Sequence, residues 1–227
     1  MKLHIANKNY SSWSLRPWVL MKTLGLPFEE SVHPFPLNGG PTGFDAFSPT
    51  SKVPVLEDGE HSIWDSLAIT EYLAEQHPSI WSEDKTARAW ARSAAAEMHS
   101  GFANLRNVCA MSCGVRVALH QPVPAGLLQD VKRLQTLWTE GLQRFGGPFL
   151  AGKNFSAVDA FFCPVAFRVQ TYNLVLSDKC MAYVQTLLAL PAMQDWYASA
   201  LKEPWIDDIP HNADVLAHGN LLSDLRG

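Results

Sequence analysis

The chain has 227 residues, 47% hydrophobic and 18% charged, which is long enough for one large or two smaller cores and too apolar for a disordered chain. A net charge of −4 and a pI near 6.0 give no electrostatic case for nucleic acid or an anionic membrane as partner. The opening "MKLHIANKNYSS" lacks the apolar stretch of a signal peptide and no run is long enough to span a membrane, so a cytoplasmic protein is expected. Cys109, Cys113, Cys163 and Cys180 include no C-x-x-C and no metal-ligand spacing, so they read as buried free thiols, with no metal expected.

In chain order, "KLHIA" alternates as a strand does. "SLRPWVLMKTLGL" reads as a helix closed by Gly25, with Leu26 packing back over the end. A proline inside a helix loses a hydrogen bond, so Pro17 is expected in the first turn, with the start near Ser14 and with Ser11 and Ser12 left in the loop. "FEESVHPF" contains a second strand, and "VPVLEDGEHSIW" a hairpin turning at Asp58-Gly59. "DSLAITEYLAEQHP" is an amphipathic helix capped by Asp65 or Ser66 and stopped by Pro78.

After Pro78 the pattern turns helical: Lys85 to about Ala118, Pro124 to Phe145, and helices near 156–173 and 180–201. "FSAVDA" predicts a capping box between Ser156 and Asp159, and Pro164 a kink in the helix that follows. The last stretch, "HNADVLAHGNLLSDLRG", has too little periodicity to place. These elements predict an α+β chain: a β-α-β-β-α domain of thioredoxin-like order over 1–80, a linker at 81–87, and an all-helical domain over 88–227. Where a thioredoxin-like domain carries its C-x-x-C, this chain has "SSWS".

"SSWSLRPWVLMKTLGLPFE", "SKVPVLEDG", "DSLAITEYLAE" and "SAVDAFFCP", in that order and spacing, resemble the cytosolic glutathione transferases over nearly the whole chain. The likeness is to the serine-type classes, zeta and tau. It implies glutathione as co-substrate, small hydrophobic electrophiles as second substrates, and a homodimer. The chemistry is physically sensible. A thiol of pKa near 8.5 is only about 3% thiolate at neutral pH, and lowering that by about 2 units takes about 2.7 kcal/mol. A serine is too weak a base to take the proton. At a strand-to-helix loop, however, it can donate to the sulfur anion beside the positive end of the helix.

Aligned on Arg16, Ser11 takes the place of the zeta and tau catalytic serine. Ser12 is its neighbour and rival, and Tyr10 stands where other classes use a tyrosine hydroxyl. Ser14 reads as a helix cap. Val53-Pro54 matches the family's cis-proline position, where Val53 pairs its backbone with the cysteinyl part of glutathione. Lys52 matches a position near the glycine carboxylate, or is a solvated surface lysine. Asp65 and Ser66 match the γ-glutamyl site, Asp65 replacing the usual Glu or Gln, and both also serve as plain helix caps. Trp13, Phe102, Leu105 and Arg106 are candidates for the electrophile pocket. Two other readings stand beside conjugation. One is a non-catalytic glutathione- or protein-binding member. The other is an isomerase of maleylacetoacetate type, against which Trp13 occupies the zeta cysteine slot and Thr171 the place of an arginine, with Arg168 one turn earlier.

Overall fold

The computed structural model describes residues 1–37 and 40–227. The N-terminal domain is a four-stranded mixed sheet with helices: β1 (Lys2–Ile5), α1 (Ser12–Thr23), β2 (Glu29–Val32), β3 (Val55–Asp58), β4 (His61–Trp64) and α2 (Ser66–Gln76). The strand order is β2-β1-β3-β4, with β1 parallel to β2 and antiparallel to β3. This is the expected thioredoxin-like domain. Its parallel pair is joined by α1, because a parallel connection needs a crossover, and β3 and β4 by the tight hairpin at Gly59.

Helix α1 ends as predicted. Gly25 adopts φ +68°, its N–H donates to Lys22 O, and Leu26 N donates to Met21 O at 2.9 Å. Its start differs from the expectation. The helix begins at Ser12, with Leu15 N donating to Ser11 O, so Ser12 and Trp13 are helical and Pro17 lies in the second turn. Pro17 leaves the Trp13 carbonyl without its helical donor. Ser14 is therefore inside the helix and not its cap.

The helical half comprises α3 (Lys85–Ser100), α4 (Ala103–Val108), α5 (Ala125–Phe145), α6 (Ala157–Tyr172), α7 (Asp178–Leu188), α8 (Pro191–Leu201) and α9 (Ala213–Ala217). Two corrections apply. The helix expected from Lys85 to Ala118 breaks at Gly101, where a Cβ would meet Glu97 O at 2.8 Å, and Phe102 turns into the left-handed region at φ +54°. After the break, Val115–Leu119 forms a strand, β5, paired with β6 (Gly219–Asp224) in an antiparallel ribbon. Its alternating "VRVAL" fits a strand, and its partner is the tail that sequence pattern left unplaced. The helix expected over 180–201 is two, separated at Leu190 with Pro191 opening α8.

Helix α6 lies at the centre, buried along almost its full length and packed on α1, α3 and α7. The predicted capping box is present: Ser156 N donates to Asp159 Oδ2 at 3.0 Å. Asp159 also receives Leu150 N and the Tyr183 hydroxyl, and burial lifts its carboxyl to about 6. Among the described residues no helix is long and apolar enough to cross a membrane.

Candidate active site

The loop from β1 to α1 is held from the far end of the chain. Lys8 and Asn9 donate their backbone N–H to the Glu203 carboxylate at 2.6 and 3.1 Å. Trp196 Nε1 donates to Lys8 O at 2.8 Å, and Asn9 Nδ2 to Ala200 O at 2.7 Å. Burial raises the Glu203 carboxyl, and the two amides and Lys8 oppose that rise. A loop with its amides satisfied in this way presents the next residues in one fixed position.

Those residues are Tyr10, Ser11 and Ser12. Ser11 Oγ donates to Ser14 Oγ at 2.7 Å, and Ser14 Oγ also accepts from Ala6 N at 3.3 Å. Ser12 Oγ accepts from Arg168 Nη2 at 3.3 Å, while Arg168 Nε donates to Cys109 O at 2.8 Å. Arg168 is buried, which lowers its pKa to about 10, still a cation at neutral pH. The Tyr10 hydroxyl turns to the C-terminal segment. It receives Arg226 Nη1 at 2.7 Å and Asp207 N at 3.3 Å, donates to Asn212 Oδ1 at 3.3 Å, and burial raises its pKa.

Trp13 faces His99 edge-on at 5.3 Å and stacks under Arg16, whose guanidinium lies 4.0 Å from the ring centroid. Arg106 lies near the same ring at 5.7 Å. Arg16 is fully buried, and its pKa falls to about 9, first through burial and then through Arg168 and Arg106. Its Nη1 reaches Ser66 Oγ at 3.5 Å. Across the cavity the Val53-Pro54 bond is cis. Ser48 Oγ clamps both backbone groups of Lys52, accepting from its N–H and donating to its carbonyl. Asp65 sits at φ +76°, a conformation that costs a non-glycine residue of order 1–3 kcal/mol. Its Oδ1 caps α2 through Leu67 N at 2.7 Å, and its Oδ2 is 3.4 Å from His99 Nε2.

Many of these groups border a cavity of about 840 Å³. It collects Tyr10, Ser11, Ser12 and Trp13 from one side, Lys52, Val53, Pro54, Asp65 and Ser66 from another, and Arg106 from α4. Phe102 and Leu105 do not line it. The break at Gly101 shifts the phase of α4, so Arg106, Asn107 and Ala110 face the cavity while Leu105 is fully buried in the core. Among the described residues, Lys52, Arg106, Arg168 and the nearby Arg16 outnumber the lining carboxylate, Asp65, so the cavity favours anions such as thiolates and carboxylates.

Sequence reading passed over several lining residues. Arg168 enters the sequence reading only in relation to an isomerase; it is the one cation in the largely apolar "AVDAFFCPVAFRVQTY", and a cation unmatched by the helix-capping role of Asp159 is the signal that could have found it. Phe35, Phe44, Met111 and His211 also line the cavity, and nothing local marks them. All four cysteines are buried, with Cys109 pushed up to about 12 by desolvation, so none is primed as a nucleophile. Among the described residues no group of three or more His, Cys, Asp and Glu is placed to hold a metal.

The family model described as "Glutathione S-transferase, N-terminal domain" matches residues 10–76, which span both serines, the cis-proline and the Asp65 cap. A glutathione S-transferase-like protein, OpS6, of Beauveria bassiana is 30% identical over 179 residues, 72% of this chain and 77% of the relative. A probable maleylacetoacetate isomerase of Vibrio cholerae is 29% identical over 157 residues, 66% of this chain and 72% of the relative. Among solved structures, a glutathione transferase homolog from Burkholderia (BGR1) with bound glutathione superposes with a TM-score of 0.66 at 21% identity, over 88% of this chain and 97% of that one. The tau class glutathione S-transferase of mango, Mangifera indica, gives 0.68 at 20% identity, over 86% and 91%. With the Beauveria relative 30% identical over most of its length, and the N-terminal family model in agreement, the chain belongs to the glutathione S-transferase family.

Proposed function

We propose that the protein conjugates the thiolate of glutathione to small hydrophobic electrophiles, with peroxide reduction open to the same thiolate. The observation that carries this reading is the pair of serines at the start of α1, in a cavity with excess positive charge. Glutathione lies along the loop at Lys52, Val53 and Pro54 and ends its γ-glutamyl part at Asp65 and Ser66. Val53 pairs through its backbone as an added strand would. Ser11 is the donor to sulfur. On binding, its proton swings from Ser14 to the thiolate and Ser14 donates to Ser11 in turn. Ser12 backs it as a hydroxyl polarised by Arg168, and Tyr10, its hydroxyl already engaged, takes no part. Trp13 and Arg106 wall the electrophile side.

Titration of bound glutathione by thiolate absorbance tests this assignment. Ser11→Ala is expected to raise the pKa of the bound thiol by about 2 units and to lower turnover with a chloronitrobenzene-type acceptor. If Ser11→Ala leaves both unchanged while Ser12→Ala moves them, the donor is Ser12. If calorimetry finds no glutathione binding at millimolar concentration, the protein is a binding member for another partner.

A second reading, glutathione-dependent cis–trans isomerisation, draws on the Vibrio relative and on Arg168 and Arg106 lining the cavity, where a dicarboxylate wants cations. Turnover of maleylacetone decides it. In either case we take the protein to be a cytoplasmic homodimer built of a glutathione-binding domain over 1–80, a linker at 81–87 whose last three residues already open α3, and a helical substrate domain over 88–227.

A further inference from the structure

The C-terminal segment brings an imidazole to the cavity in an ordered setting. His211 lines the cavity between two aromatic rings, with centroids 4.7 Å from Tyr10 and 4.5 Å from Phe35. Its Nδ1 lies 2.5 Å from Asp207 Oδ2. Asp207 is fully buried, and its other oxygen receives Ile209 N at 3.2 Å. A buried carboxylate is costly unless paired, and here the imidazole is the side chain that pairs it. With Nδ1–H donated to Asp207 the tautomer and ring plane are fixed. Nε2, without a hydrogen-bond partner among the described residues, is the nitrogen left for chemistry. The ring stacks on Tyr10, whose neighbour in sequence is Ser11, so His211 and the proposed sulfur donor border the same space.

The groups around this imidazole are few. Asp207 holds it directly, and the Tyr10 phenol lies against its face. Arg226 is one hydrogen bond further on through that phenol, and Asp208 is turned to Asn212 Nδ2. On the cavity side stand the cations Lys52, Arg106 and Arg168. Those cations attract an anion but have no proton to give at neutral pH. Imidazole is the side chain that both carries and releases a proton there.

We propose that His211, oriented by Asp207, is a general acid that protonates a leaving oxygen, as in the opening of an epoxide. The inference rests on the glutathione transferase reading above. The thiol gives its proton to solvent on binding, and the sulfur electron pair forms the S–C bond as the epoxide C–O bond breaks. The electron pair left on oxygen takes the proton from imidazolium Nε2. Neutral His211 then regains a proton from solvent, so glutathione and epoxide give a hydroxy thioether with nothing else consumed. An aryl chloride needs no such step, because chloride leaves as a stable anion.

The test compares styrene oxide with a chloronitrobenzene acceptor in wild type, His211→Phe and His211→Gln. Phe keeps the ring between Tyr10 and Phe35, and Gln keeps polarity without acid strength. Both variants are expected to lower kcat for the epoxide at least about 100-fold more than for the chloride. Equal losses on the two substrates overturn the proposal, as does loss in Gln alone. Wild type that conjugates the chloride but not the epoxide overturns this inference alone. Wild type that conjugates neither overturns the transferase reading and this inference with it.

Discussion

Arg168→Met separates the stability of the protein from its proposed chemistry. Arg168 is a buried guanidinium with two hydrogen bonds, to Cys109 O and Ser12 Oγ, and no carboxylate within salt-bridge distance among the described residues. Burial lowers its pKa from 12.5 to about 10. At about 1.4 kcal/mol per tenfold change in proton affinity, holding that charge costs the folded state about 3 kcal/mol. For a base whose folded pKa is depressed, this cost is fully present below about pH 10 and disappears as pH rises toward 12.5. Methionine fills similar volume and gives up two hydrogen bonds worth about 1 kcal/mol each. The variant is therefore expected to be about 1 kcal/mol more stable at neutral pH, or about 2–4 °C in Tm for a chain of this size. A thiolate bonded to Ser12 or Ser11 would stand roughly 6 Å from this guanidinium, worth about 3 kcal/mol at an effective dielectric of about 20. The pKa of bound glutathione should then rise by up to about 2 units. Denaturant unfolding and thiolate absorbance read the two quantities. A variant destabilised by several kcal/mol, or one with an unmoved thiol pKa, refutes the reasoning.

Two further outcomes follow from buried carboxylates. Glu203→Ala strips the acceptor from Lys8 N and Asn9 N, both buried, so a loss of about 2–4 kcal/mol in denaturant unfolding is expected, with a higher KM for glutathione as the serine loop loosens; unchanged stability would show that water replaces the carboxylate. Asp159 has its folded pKa raised from 3.8 to about 6, so the folded chain holds a proton that the unfolded chain has lost, and wild type should lose about 3 kcal/mol of stability as pH rises from about 4 to about 6. Asp159→Asn should abolish that slope relative to wild type while destabilising at neutral pH, because an amide cannot accept from Leu150, Ser156 and Tyr183 together.

What sequence pattern could supply was local. The Gly25 helix stop, the Ser156–Asp159 box and the hairpin each depend on residues a few positions apart and stand in the structure as read, and the α2 cap falls to Asp65, one of the two candidates. The start of α1 was misplaced because the rule for Pro17 is a preference, and the Leu15-to-Ser11 hydrogen bond outweighs it. The ribbon was missed because β5 exists only by pairing with a strand about a hundred residues later, a partner that periodicity cannot see. Phe102 and Leu105 fail to line the cavity for a different reason: a helix continued through Gly101 keeps a phase that the real chain resets.

The serine question shows where local reading must stop. Ser11 and Ser12 are the same residue type on the same loop, and their neighbours in sequence do not distinguish them. Their partners do. Ser11 bonds to Ser14, three residues away and neutral, whereas Ser12 bonds to Arg168, 156 residues away and charged. A neutral partner lets a hydroxyl turn to a new acceptor at little cost. A guanidinium holds the oxygen and makes its proton a stronger donor without moving it. The two serines therefore predict different signatures. Ser11 would stabilise the thiolate by reorienting, and its removal should act almost independently of Arg168. Ser12 would act only as long as Arg168 stands behind it. A double-mutant cycle on the bound thiol pKa reads this directly, with coupling between Ser12→Ala and Arg168→Met of more than about 0.5 kcal/mol assigning the sulfur to Ser12, and additivity assigning it to Ser11.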